Sequence, residues 1–183
     1  MQIPTTKFCN VCSIVKLTYC TENLLPSVDF IDSEKLKSPR GHICDLIYDN
    51  SNKIIYIEHK YIFYFCRYMG TDGVPQDDWE SFKEDIKAKV DETIRIYESI
   101  VPPPSHANRQ FILCISKNLP LPEINSTILK QNEIVAQLIP RAMILTLKTV
   151  LMSMKGAVGS AYYFEGKKIN MMVDECINIS KYI

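Results

Sequence analysis

Gly41 to Tyr61 reads GHICDLIYDNSNKIIYIEHKY, and the fold turns on how that stretch pairs with itself. Two runs rich in Ile and Tyr flank the polar segment Asp49-Asn50-Ser51-Asn52, the pattern of a β-hairpin. Charged groups stand where a buried strand should be apolar: Asp45 in the first arm, Glu58 and Lys60 in the second. Side chains alternate faces along a strand, so the parity of the loop decides which of these meet. With an even loop, Asp45 is expected opposite Tyr56, on the face that carries Glu58 and Lys60. Asp45 and Glu58 are then diagonal neighbours, within reach of a single cation. An odd loop would send them to opposite faces, because a one-residue slip inverts every side chain.

Two carboxylates and a lysine among Ile43, Ile47, Ile54 and Tyr56 are costly to desolvate unless they pair or bind a cation. Hard oxygen donors with few protein contacts suit Mg²⁺, or Mn²⁺ in its place, and such an ion binds phosphate oxygens. An adjacent lysine is placed to orient water or help deprotonate it, while the metal stabilises charge developing on a phosphate.

Asp45, followed by Glu58-His59-Lys60 at the end of the next strand, resembles the PD-(D/E)xK nuclease superfamily. The proline of that motif is not adjacent to Asp45; Pro39 lies upstream. The resemblance implies an α/β fold with a mixed sheet, the restriction-endonuclease-like αβββαβ core, over about residues 8–118. It implies that Asp45 and Glu58 hold Mg²⁺ or Mn²⁺, that Lys60 serves the attacking water, and that the substrate is DNA. It also suggests Glu22, at the end of an expected first helix, as a third acid.

The order of elements around the hairpin agrees with that core. Val11, Ile14 and Val15 form a loose helical stripe, so residues 8–22 are expected to supply the first helix. Leu24 to Asp32 alternates apolar and polar residues, as a short strand does. Lys35, Lys37 and Arg40 sit on the connection feeding the Asp45 strand, where they can touch a phosphate backbone or simply face solvent. The aromatic run from Tyr61 to Tyr68 is expected to be a strand buried on both faces, with base stacking on Tyr64 or Tyr68 as the alternative. Trp79, Phe82, Ile86, Val90, Ile94, Tyr97 and Val101 recur at helical spacing after Asp77-Asp78, with Lys83, Lys87 and Lys89 off the stripe. Pro102-Pro103-Pro104 stops that helix, and Gln110 to Lys117 is a nearly continuous apolar strand.

About residues 119–183 are expected to form a C-terminal helical extension, with helices near 126–139, 142–154 and 170–183. The apolar run 142–154 is expected to pack across a sheet face or against a second copy in a homodimer. Within the extension, Tyr162 to Ile169 reads as a small hairpin around Glu165-Gly166.

With 183 residues the chain is expected to be one domain. Its 21 basic residues balance 21 acidic ones, so any nucleic-acid surface must be a local patch. No apolar run reaches membrane-spanning length, and residues 1–25 lack a signal-type apolar core. An intracellular, cytoplasmic protein without membrane partners is expected. Seven cysteines, scattered through the chain, fit reduced thiols better than a disulfide framework. Cys9 and Cys12 have the spacing of half a zinc site, and some members of the resembled superfamily carry iron–sulfur clusters. No second close pair accompanies them, which favours two packed thiols.

Two further readings stand beside the nuclease. One is a non-catalytic module that keeps the same fold for nucleic-acid or protein contacts. The other is a thiol metal-binding protein built on Cys9 and Cys12.

Overall fold

The computed structural model describes residues 5–6, 8–9, 13–14, 30–33, 36, 42–61, 79–116, 155–156 and 158–183. The first strands in chain order are β1 (Thr5–Thr6), β2 (Phe8–Cys9), β3 (Ser13–Ile14), β4 (Phe30–Asp32), β5 (Leu46–Asp49) and β6 (Lys53–Tyr61). Then come helix α1 (Trp79–Ile100) and strands β7 (Asn108–Ser116), β8 (Ala161–Phe164) and β9 (Lys167–Glu175). A 3-10 helix, Cys176–Lys181, follows.

One mixed sheet has the order β1-β4-β5-β6-β7-β9-β8, and β2 pairs only with β3 among the described residues. Its β4, β5 and β6 run antiparallel in succession; α1 then carries the chain over to β7, which lies parallel to β6. The class is α/β. Phe8–Cys9 pairing with Ser13–Ile14 corrects the helix expected over residues 8–22, at least at those four positions. Phe8 and Ile14 oppose each other across that ladder, a strand contact that a loose helical stripe does not distinguish.

The β5–β6 register is set by its turn. Asn50 accepts from the Lys53 amide through Oδ1 at 2.9 Å, and Asp49 Oδ1 accepts from the Ser51 amide at 2.6 Å. Ser51 takes a φ of 70°, a left-handed conformation that these side-chain bonds help to hold. Asp49 then opposes Ile54, and Ile47 opposes Tyr56. An even number of residues closes the loop, but Tyr56, expected opposite Asp45, is the partner of Ile47 instead. Asp45 lies at a bend just before β5, with its amide donating to the Ile57 carbonyl at 3.0 Å. Leu46 is also registered on Ile57, so two residues face one, as in a β-bulge.

The helix forms where its apolar stripe has a sheet to cover. Phe82, Ile86, Val90, Ile94 and Tyr97 are buried against Ile47, Ile54, Tyr56, Phe111 and Leu113. The side chain of Trp79 lies outside the described residues. On the other face of the sheet, Phe30, Leu46, Ile55, Ile57, Ile112 and Cys114 form a second core, closed by Ile179 of the 3-10 helix.

The end of the chain differs from expectation. β8 and β9 form the hairpin around Glu165 and Gly166, whose φ values of 47° and 77° suit a tight primed turn. But β9 runs on to Glu175 and inserts parallel to β7, so the sheet continues where a terminal helix was expected. Ile169, Met171 and Val173 alternate inward along it, the period of a strand. The C-terminal extension is therefore not wholly helical; the expected helices over 126–139 and 142–154 lie outside the described residues. Among the described residues, no helix is long and apolar enough to cross a membrane.

Candidate active site

Asp45 is bracketed onto β6 from two sides. Its amide reaches Ile57, and its Oδ2 accepts a 2.6 Å hydrogen bond from the His59 amide. Its carboxylate thus lies alongside Glu58. The register itself favours this: continued one step past the Leu46–Ile57 pair, it sets Asp45 opposite Glu58 and on the same face.

Glu58 has no exposed surface. It shares the α1-facing side of β6 with Tyr56 and Ile54, by the alternation of a strand. Its Oε1 accepts from two ammonium groups, Lys60 at 2.5 Å and Lys89 at 2.7 Å. Its Oε2 is buried and has no hydrogen-bond partner among the described residues. Leaving one carboxylate oxygen in that state is costly in a dry interior.

Lys89 comes from α1, and the same turn of helix grips the strand beside Asp45. Thr93 Oγ1 donates to the Lys89 carbonyl at 2.7 Å and accepts from the Cys44 amide at 2.8 Å. Ser33 Oγ donates to the Cys44 carbonyl at 2.5 Å, fixing the next peptide group, the one that leads into Asp45. The apolar stripe alone sets Lys89 aside with Lys83 and Lys87, and the structure corrects that placement. Lys89 lies three residues after Ile86 and four before Thr93, on the flank of the buried face. There a long stem packs and the charged head reaches sideways. That spacing is the one signal in the sequence that points to it. Thr93, fully buried, is a second site residue that sequence reasoning misses.

The electrostatics follow from burial. Desolvation, with the charge of Glu58 behind it, pushes the Asp45 carboxyl up to about 7, although the His59 amide and the two lysines pull the other way. Burial opposes the charge of Lys89, but Glu58 outweighs it and holds the ammonium above its ordinary value. Burial, reinforced by Lys60, brings the His59 imidazole down to about 3, so the ring is neutral near pH 7. Burial and Glu58 also push the Cys44 thiol up, which keeps it protonated and unreactive.

The structure brings Asp45, Glu58 and Lys60 together and adds Lys89. Glu22, Lys35, Lys37, Arg40 and Cys12 lie outside the described residues. Cys9 belongs to β2. Between the two lysines in sequence, Leu36 is buried in the α1-side core. No group of three or more His, Cys, Asp or Glu side chains is gathered as a metal cage among the described residues. The donors at hand are two carboxylates, one with an oxygen to spare. That set fits a hard cation that keeps most of its own waters, and not a thiolate-seeking one.

No family model matches this chain, and neither a curated protein nor a solved structure matches it.

Proposed function

We propose that the chain is a metal-dependent nuclease that hydrolyses phosphodiester bonds in DNA, on a restriction-endonuclease-like core. The observation that carries this reading is Glu58 Oε2. It is a buried carboxylate oxygen with no hydrogen-bond partner among the described residues, beside the half-buried carboxylate of Asp45. An interior that satisfies Oε1 twice and Oε2 not at all suits a ligand that binds Oε2. The order of β4, β5, β6, α1 and β7, three antiparallel strands and a parallel fourth across a helix, also supports the αβββαβ core.

Asp45 and Glu58 would hold Mg²⁺ or Mn²⁺. Bound there, the ion supplies Lewis-acid stabilisation of a phosphate and a lowered pKa for water. The chain's own residues do the rest. The His59 amide fixes the Asp45 carboxylate, and Lys60, held at Glu58, offers a cation close to where an attacking water and a phosphate oxygen must lie. Buried Leu113, registered beside Glu58 on β7, lowers the local polarity and strengthens these charges.

The test is cleavage of labelled single-stranded, duplex and branched DNA with Mg²⁺ or Mn²⁺. Wild type should cut, Asp45→Ala and Glu58→Ala should not, and both variants should bind DNA in EDTA at least as well as wild type. Lys60→Ala should lose on the order of 10²-fold in rate. Absence of cleavage by wild type on every substrate would favour the second reading, a non-catalytic binding module. One observation speaks for that alternative: Lys60 and Lys89 already neutralise Glu58 without any ion.

A further inference from the structure

We infer that Lys89 is a second catalytic ammonium, which works with Lys60 as a clamp on the phosphate under attack. This role rests on the nuclease reading above, and neither the strand motif nor its spacing contains it.

Two amines share one carboxylate oxygen, so they lie no further apart than their two contacts to Glu58 Oε1 combined. They approach from different elements, Lys60 along β6 and Lys89 down from α1. Two ammonium groups at one oxygen repel each other. Asp45, whose carboxyl feels both lysines, balances the second charge in the metal-free site, and with a cation on the carboxylates that balance must come from an anion such as phosphate. The exposure gradient points the same way. Glu58 is fully buried, while the two lysine side chains are each 18% exposed. An anion arriving from solvent therefore meets ammonium groups before carboxylate.

Glu58 then divides its oxygens between two tasks. Oε1 holds the lysine pair, and Oε2 remains for a cation. Lys89 is rigidly delivered, because its own carbonyl is tied through Thr93 to the Cys44 amide next to Asp45. Such a fixed donor stabilises charge that appears on the non-bridging phosphate oxygens as the bond to the leaving oxygen breaks.

The experiment compares wild type, Glu58→Gln, Lys89→Met, Lys89→Gln and Lys89→Arg. It reads kcat and KM on a labelled oligonucleotide and, separately, Mn²⁺ affinity from the free-ion paramagnetic signal. Lys89→Met should bind Mn²⁺ as tightly as wild type or more tightly, because a repelling charge has gone, while kcat falls about a hundredfold. Lys89→Arg should recover part of kcat. Parallel loss of Mn²⁺ affinity and kcat would make Lys89 a structural brace and overturn the inference, as would an unchanged kcat. If Lys89→Met fails to fold, Lys89→Gln is read by the same criteria, and failure of both to fold also overturns it. A wild type that neither binds Mn²⁺ nor cuts, with Glu58→Gln indistinguishable from it, sinks the nuclease reading itself. Wild-type binding and cutting that depend on Glu58 leave that reading standing, whatever Lys89 does.

Discussion

Arg109 grips Glu98 with two nitrogens, Nε at 2.7 Å from Oε1 and Nη2 at 3.3 Å from Oε2. The pair joins β7 to α1, and both side chains are almost wholly buried, 7% and 8% exposed. Lys167 from β9 and the Tyr56 hydroxyl from β6 donate to the same carboxylate at 2.7 and 2.9 Å. Three strands are thereby tied to one helical residue. Removing one partner leaves a buried charge under-compensated, so Arg109→Met should cost about 3 kcal/mol in urea unfolding. A loss within experimental error would mean that Lys167 and Tyr56 suffice.

The same carboxylate sets an acid limit. Burial alone would raise its pKa, but hydrogen bonds from Arg109, Lys167 and Tyr56 outweigh this and hold Glu98 below the ordinary value. A folded value lower than the unfolded one gives stability that is present above the usual carboxylate range, about 4.3 for glutamate, and lost as pH falls through the folded value. Stability should therefore drop with acidification below that range, and Glu98→Gln should flatten the slope. Equal slopes for the two proteins would show that other carboxylates control the acid limb.

Thr93→Val tests how α1 is docked. The substitution keeps the shape and removes the hydroxyl that accepts from the buried Cys44 amide. An unsatisfied amide there should cost about 1–3 kcal/mol. Hydrogen exchange at the Cys44 amide should speed up more than exchange at amides in the middle of β7.

Asp45→Asn should stabilise the protein in EDTA above neutral pH. The wild-type carboxyl is raised to about 7, so its penalty is absent at acid pH and grows as pH rises from the ordinary carboxylate range through 7. A gain on the order of 4 kcal/mol is expected at pH 8, since the proton affinity rises about a thousandfold from the ordinary carboxylate to this one and each tenfold corresponds to about 1.4 kcal/mol. Adding Mg²⁺ should narrow or reverse the gap, because a cation that binds only the folded wild type stabilises it alone. A gap indifferent to Mg²⁺ would count against the carboxylate pair as a cation site.

Much of the fold is legible because two periods are clean. The step of three and four from Phe82 to Tyr97 has few interpretations, and α1 buries that stripe. The polar Asp49–Asn52 segment marks the turn, and the alternation on either side marks its arms. The partner of Asp45 is not legible, because pairing it with Tyr56 or with Glu58 keeps the same parity, and alternation cannot tell two registers apart that differ by two residues. Lys89 is hidden by its charge: pattern reading sends lysines to solvent, while this one has a carboxylate within reach. In β9 the Ile169, Met171, Val173 alternation is present in the sequence. Its lysines, methionines and glutamate favour helix intrinsically, and the free edge of β7 overrides that preference.

The position of β9 has a consequence for biosynthesis. β7 can pair with β6 as soon as α1 has crossed over, but its other edge is filled by residues that leave the ribosome only after the long stretch between Ser116 and Lys167. For that interval the apolar strand from Phe111 to Ile115 presents a row of open amides and carbonyls to solvent or to other nascent chains. Parallel partners so distant along the chain also meet slowly. The nascent protein should thus have its greatest need of a chaperone between the synthesis of β7 and that of β9, after the candidate site's own residues have all been made.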